Sequence, residues 1–484
     1  MKLFLCMAAI AGTAALSAET FEIPVEKLHD KIRGGMLGHM LGDLNGLKHE
    51  MKYIAEPGNV EKYVPELSTG AWTDDDTDVE WVYLLEMQRT RKMLVPQTSI
   101  SELWQRHINR AIWCSHLYLR QLLDIGINPP LTGSVHINPW ADFNLSGQFV
   151  SESFGLISPG MPQTAARIGT YYTHVAVDGE PIQSTQLFDA MIATAFLTND
   201  IDKIVDAGLA ATDPASKMHQ MVLDVRRFHK QNPQDWRTTR RLLKEKYMYY
   251  GGQDMRDRNG VLLNGSSAVA ALLYGQGDFT ETLRHAFNFG WDADNNAAVA
   301  GAIIGTTKGW KWMMDQGWNI KDLFRNTSRD EMPMDETMTT FGDRLVALAE
   351  QNIVEHGGTK ATLGGTAVYR IQTENAANIE KLPDPAKQLA ALRAGLAAEL
   401  EATITRSASN KELARAAYLA ICLDQAPPLK QKYPERWAKA IAALAGFPGV
   451  MQTIFYNQAT AQATIRDKAL AAGLMQPAKA AQTK

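Results

Sequence analysis

Cysteine is nearly absent from this chain: three in 484 residues. That excludes a disulfide-stapled scaffold and a cysteine-rich zinc module. Cys6 lies in the first residues, so only Cys114 and Cys422 remain, either as a pair or as two buried free thiols. Basic clusters are missing too. Lys and Arg total 49 against 53 Asp and Glu, a formal charge of −4, which gives no nucleic-acid-binding surface. Beyond the N-terminus no apolar run reaches the length a bilayer demands. Period-two strand patterns are scarce, the best being Val368 to Gln372. No Gly-Lys-Ser/Thr follows the glycines, which excludes a phosphate-binding loop of that kind.

What is present is 45% hydrophobic and mostly at helical spacing, enough for one large domain or two smaller ones. Residues 1–18 read as a secretory signal. Lys2 precedes the apolar Leu3 to Leu16, and Ala15-Leu16-Ser17-Ala18 offers small residues for cleavage, so the product is expected to be exported to the periplasm or medium. The spacing predicts a helix over Glu26 to Leu47, with Gly34, Gly38, Gly42 and Gly46 recurring every four residues. Such a stripe permits close approach of a neighbouring helix. Lys48 to Leu67 reads as a loop near the site. Further helices are expected over Val79 to Leu94, Leu103 to Ile125, Phe149 to Gly155, Pro159 to Thr173 and Gln186 to Thr198. Others follow over Ile201 to Ala210, Ala215 to Lys230, Asp235 to Lys246 and Ala297 to Gly305; Asn264 to Leu273 is small and apolar and expected to be buried, and Phe279 to Phe289 leads into the second acidic corner. A long Pro-containing loop, Asn128 to Asp142, brings His136 and Trp140 as candidate pocket residues. Beyond Pro383-Asp384-Pro385 the composition shifts to Ala, Leu, Lys and Glu. The expected division is therefore a signal over 1–18, a main domain over 26–382 and a module of small helices over 383–484.

Two acidic corners carry the chemistry. Thr73-Asp74-Asp75-Asp76-Thr77-Asp78 puts four carboxylates into five positions, directly before an apolar helix. Capping a helix takes one or two such residues, and crowded carboxylates repel one another unless a cation neutralises them. The second corner is Gly290-Trp291-Asp292-Ala293-Asp294-Asn295-Asn296, again before an apolar helix. Both offer only oxygen donors, suited to Mg2+ or Ca2+, and neither holds a Cys or His for zinc. Taken singly, each corner reads as a solvated acidic cap before it reads as a metal site; two such corners shift the balance towards metal.

Three separated motifs resemble the ADP-ribosylglycohydrolases, a family that includes the dinitrogenase reductase-activating glycohydrolases. Gly34 to Gly46, ending in Gly42-Asp43-Leu44-Asn45-Gly46, is similar to the family's Gly-Asp-x-x-Gly helix; Trp72-Thr73-Asp74-Asp75 is similar to its Thr-Asp-Asp-Thr; Gly290 to Asn295 is similar to its Gly-x-Asp-x-Asp-Thr. The likeness runs from about Leu28 to about Ile371. It implies an all-α fold around two metal ions, usually Mg2+, with Mn2+ or Ca2+ as alternatives. The ligands carried over are Thr73, Asp74, Asp75, Asp292 and Asp294, with Asn295 standing where the family has Thr. The extra Asp76 makes Asp75-Asp76-Thr77 an alternative set. Some members use a Glu seven residues after the motif Asp, which is Glu50 here. The resemblance also suggests His174 as a substrate-ribose contact. Gln148 is added as a pocket candidate, and Glu152, four residues on, shares its helix face.

The resemblance implies hydrolysis of a glycosidic bond to ribose, with Asp75, Asp292 and Glu50 in the catalytic roles and ADP-ribosyl conjugates as first substrates. An exported enzyme would meet few intracellular ADP-ribosylated targets, which keeps small nucleosides or other glycosides open. A non-catalytic sugar- or metal-binding protein of the same fold is the reading from another class, and docking through residues 386–484 is a third.

Overall fold

The computed structural model describes residues 19–456 and 461–477; the signal segment expected over 1–18 lies outside them. Two helices form the axis. The N-terminal helix, Val25–Gly46, lies along the central helix, Ala293–Lys308, and both are buried over most of their length. The glycine stripe explains their closeness. A Cβ on Gly38 would stand 2.1 Å from the Gly301 carbonyl oxygen, and one on Gly301 would stand 2.2 Å from that of Gly38. No side chain fits at that separation, so the two backbones touch. The stripe ends at Gly46, whose Cβ would fall 2.3 Å from the Asp294 Cα. Helix packing thereby sets the end of one acidic corner against the loop that follows the first helix.

The rest is an all-α shell, with helices at Val261–Gly275 and Phe279–Phe289 among those packed on the axis. Two small three-stranded sheets accompany it. Thr366–Gln372, which contains the expected strand, pairs antiparallel with both Thr20–Pro24 and Thr359–Leu363. The second sheet joins Ala71–Trp72, Phe324–Arg325 and Asp335–Glu336 and anchors the chain just before the first acidic corner.

The helix expected over Leu103 to Ile125 is in fact two, Gln97–His107 and Cys114–Asp124. Ala111 and Cys114 take positive φ in the break, and the carbonyls of Arg110 and Ala111 accept hydrogen bonds from the buried Arg329 guanidinium. A continuous helix would have used those carbonyls internally.

A second hydrophobic core joins Tyr118, Leu122, Ile137 and Trp140 to Leu400, Tyr418, Trp437 and Ile454. Tyr418 Oη donates to the Ile137 carbonyl at 2.7 Å. The C-terminal helices thus share one core with the loop that follows the Cys114–Asp124 helix. The first of them, Pro385–Arg406, is 22 residues long rather than small. Cys114 and Cys422 are both free thiols, so the pairing alternative fails. Among the described residues no single helix is long and apolar enough to cross a membrane.

Candidate metal centre

The first acidic corner begins a helix rather than preceding one. The acidic helix spans Asp75–Thr90, so Asp75, Asp76 and Asp78 occupy its first turn. Asp74 is the cap: its side chain accepts from the Asp76 N–H at 3.5 Å, while the Asp74 N–H donates to Thr77 Oγ1 at 3.4 Å. Capping therefore accounts for Asp74 and Thr77 and leaves the other carboxylates to be explained. Asp78 turns away from the cluster to a buried ion pair with Arg329, 2.7 Å, and accepts from Ser328 Oγ at 2.9 Å.

The second corner starts at a turn where Gly290 and Trp291 have φ of 81° and 58°. The Trp291 carbonyl accepts from the Met51 N–H at 2.8 Å, which ties the Glu50 loop to this corner. The Arg240 guanidinium lies 4.6 Å over the Trp291 ring and donates to the Phe289 and Tyr53 carbonyls, locking the turn from behind. Asp292 accepts from Asn259 Nδ2 at 2.6 Å, and its own N–H donates to Asn264 Oδ1 at 3.0 Å.

These constraints bring the corners together. Carboxylate oxygens of Asp43, Asp74, Asp76 and Asp294 all lie within 4.8 Å of one another, and those of Glu50, Asp292 and Asp294 form a second such group. Asp294 belongs to both. Asp75 and Asp292 line the same cleft, of about 610 Å3, together with Asp74, Asp76, Asp294 and Glu50.

Burial and mutual repulsion dominate the electrostatics. Burial, then the charges of Asp74 and Asp294, push Asp43 well above the carboxylate range. Burial and Asp294 do the same for Asp76 and for Asp292. Burial lifts Asp294 to about 6. Glu50, exposed at the cleft mouth, is raised to about 7 by desolvation and by the charges of Asp294 and Asp74. Asp43 is fully buried, and neither of its carboxylate oxygens has a hydrogen-bond partner; Asp294 Oδ1 is likewise unpartnered. Unpartnered buried carboxylate oxygens are costly unless a proton or a cation meets them. An oxygen-only, multi-carboxylate set is what hard divalent cations take, so the residues fit the metal that the motifs imply.

The structure thus assembles seven of the residues picked from the sequence: Glu50, Asp74, Asp75, Asp76, Trp140, Asp292 and Asp294. The remaining candidates do not line the cleft. The Thr73 hydroxyl oxygen accepts from the Thr327 N–H at 2.8 Å and lies 2.9 Å from Ser328 Oγ, outside the cleft lining. Asn295 spans two partners, its Oδ1 accepting from Gln148 Nε2 at 2.6 Å and its Nδ2 donating to Asp76 Oδ1 at 3.1 Å. Gln148 and Asn295 therefore stand behind the carboxylates and orient Asp76. Glu152 is fully buried, and burial with the nearby charge of Glu80 raises it well above the ordinary value. His174 Nε2 lies 2.7 Å from Glu380 Oε1, away from the cleft. His136 is not in the lining, whereas Trp140 is. Sequence reasoning passed over Asp43 as a ligand, although it follows the last close-packed glycine but one on the N-terminal helix; Asp76 entered only as an alternative.

No curated protein matches the chain. The sequence profile of the ADP-ribosylglycohydrolase family matches residues 24–355, from the end of the first strand to the end of the Met338–Glu355 helix. The match covers most of the chain, includes both acidic corners and leaves the C-terminal helices outside. The chain belongs to the ADP-ribosylglycohydrolase family.

Proposed function

We propose that the protein is a divalent-metal-dependent hydrolase of a glycosidic bond to ribose, with ADP-ribosyl conjugates as the first substrates to test. The observation that carries this reading is the pair of oxygen-only carboxylate groups sharing Asp294 in one cleft. Asp43, Asp74, Asp76 and Asp294 would hold one ion and Glu50, Asp292 and Asp294 a second. Mg2+ is the first choice, with Mn2+ or Ca2+ as alternatives. A bound divalent ion supplies ribose-diol orientation and a water whose pKa falls towards ~7.

The chain's own groups do the rest. Cleavage at an anomeric carbon passes through an oxocarbenium-like state, which negative charge stabilises. Asp75 and Asp292 line the cleft beside that state, and bound cations would hold the neighbouring carboxylates in their charged form. Glu50, in the cleft lining beside Asp292 and Asp294, is the candidate to exchange a proton with the attacking water or the departing atom when it does not hold the second ion. Asn259 and Asn264 hold Asp292 in place. Export through residues 1–18 belongs to the same proposal, and cell fractionation with an antibody against the chain tests it.

The test is purified protein with ADP-ribosyl-arginine, ADP-ribosyl-serine and a nucleoside panel, with Mg2+ or with EDTA. Metal-dependent release of a free ribosyl product supports the reading. Equal background with and without metal on every compound overturns it.

A further inference from the structure

The Cys114–Asp124 helix gives the cleft lining an order. Trp113, Leu117 and Gln121 all line the cleft and stand four residues apart, so they form one row along one edge of that helix. The row starts at the carboxylates. Cys114 Sγ lies 3.5 Å from Asn259 Oδ1, and Asn259 Nδ2 donates to Asp292 at 2.6 Å. It ends on the C-terminal helix Pro448–Tyr456, where a Cβ on Gly449 would stand 1.7 Å from Gln121 Oε1. At ~1.5 Å per residue the row runs about 12 Å away from the metal centre.

Gln452 lies three residues after Gly449, on the same side of its helix, and is exposed in the cleft lining. The helix that carries it is held by apolar packing: Tyr118 and Leu122 of the Cys114–Asp124 helix share the second core with Val450 and Ile454. Yet it lies beyond residues 24–355, the extent of the family match. The far end of the row therefore combines Leu117 with the carboxamides of Gln121 and Gln452, and the Trp113 indole, 64% exposed, stands between that end and the carboxylates. A carboxamide presents one acceptor and one donor side by side, which complement the N6–H and N7 of adenine. An indole beside an apolar side chain suits the flat face of a base.

We propose that Gln452 is a specificity-determining residue of the cleft: it reads the purine edge of an ADP-ribosyl substrate whose distal ribose sits at the carboxylates and whose base lies along the row of Trp113 and Leu117. The inference rests on the ADP-ribosyl reading above. The row supplies the distance that the diphosphate and second ribose must bridge between the reacting sugar and the base. Gln121, lying against Gly449, closes the end of the row. The C-terminal helices then complete a substrate cleft whose metal centre the family domain builds alone.

Calorimetry on the full chain with Mg2+ compares ADP-ribose with inosine-diphosphate ribose, whose hypoxanthine has a carbonyl oxygen in place of the N6–H donor. A carboxamide keeps only one of its two hydrogen bonds to that edge, so ADP-ribose is expected to bind about tenfold tighter. Gln452→Arg offers two donors, which pair with O6 and N7 of hypoxanthine, and should reverse the order. The ratio of the two affinities cancels the attraction of the added charge for the diphosphate common to both ligands. Trp113→Ala should weaken both ligands by about tenfold and leave their ratio and the Mg2+ affinity unchanged. Equal affinity of the parent chain for the two ligands, a ratio unmoved by Gln452→Arg, or undiminished binding by Trp113→Ala overturns the inference. Metal-dependent turnover of an ADP-ribosyl conjugate alongside any of those results leaves the hydrolase reading standing. The expected ratios without turnover of any conjugate remove the reaction and support the role of Gln452.

Discussion

Asp43→Asn separates a metal centre from a structural acid cluster. Asp43 is buried on the N-terminal helix with both oxygens unpartnered, in a group whose oxygens lie within 4.8 Å of one another. At that spacing and an effective dielectric of about 20, each ionised pair costs about 3 kcal/mol; taking up protons instead costs the folded state a comparable amount. Asparagine removes the charge, keeps the shape and breaks no hydrogen bond within the protein. Without metal, the variant should therefore be more stable than the parent by up to about 3 kcal/mol. For 484 residues the entropy of unfolding is roughly 1 kcal/mol per degree, so the melting temperature should rise by about 3 °C in EDTA. Mg2+ at one hundred times its Kd should stabilise the parent by about 2.7 kcal/mol, also about 3 °C, and Asp43→Asn should lose most of that gain. Scanning calorimetry of both proteins with EDTA and with Mg2+ gives all four values. A parent indifferent to Mg2+, or a variant less stable than the parent in EDTA, would refute the reasoning.

Other expectations follow from buried groups away from the cleft. Burial lifts Glu80 to about 8, and burial with the charge of Glu80 raises both Glu152 and Asp189. The folded chain then holds protons that the unfolded chain has released, so this contribution is complete below the ordinary value near ~4.3 and is lost as pH rises through about 8. Melting temperature in saturating Mg2+ should fall across that window, and Glu80→Gln should flatten the fall by on the order of a few kcal/mol; an unchanged slope contradicts it. Gly38→Ala forces a Cβ to 2.1 Å from the Gly301 carbonyl oxygen and should cost about 3 kcal/mol or abolish soluble expression. Gly395→Ala, in a helix with open space around it, should instead gain up to about 1 kcal/mol, and denaturant titration of the pair checks the contrast. Truncation after residue 382 uncovers Tyr118, Leu122, Ile137 and Trp140, so the shortened chain should aggregate by light scattering; a monodisperse, active product would contradict a shared core.

The axis of the fold was legible because its cause is local. Glycines four apart on one helix face announce a close partner, and small residues before Gly305 supply it. The acidic corners were legible as crowding that capping alone does not need. Asp43 escaped as a ligand because a lone carboxylate inside a glycine-rich helix carries no sign of its partners, which lie at Asp74, Asp76 and Asp294. Thr73 and Asn295 show the converse relation. Motif position named them as ligands, while tertiary hydrogen bonds with Thr327, Ser328 and Gln148 engage their oxygens. His174 was assigned through the resemblance, and its partner Glu380 lies beyond the matched region. Local periodicity gave no hint that the 103–125 stretch breaks at Arg110 and Ala111, because the cause is an arginine more than two hundred residues away. The C-terminal helices read as an added module, and only the tertiary structure shows the core that packs them against Tyr118 and Trp140.

An anomalous difference map from crystals grown with Mn2+ tests the centre most directly. The account predicts two peaks, one among Asp43, Asp74, Asp76 and Asp294 and one among Glu50, Asp292 and Asp294, with Asp294 touching both. A map with no peak in this cleft at saturating Mn2+, or with Mn2+ bound only elsewhere, would contradict it.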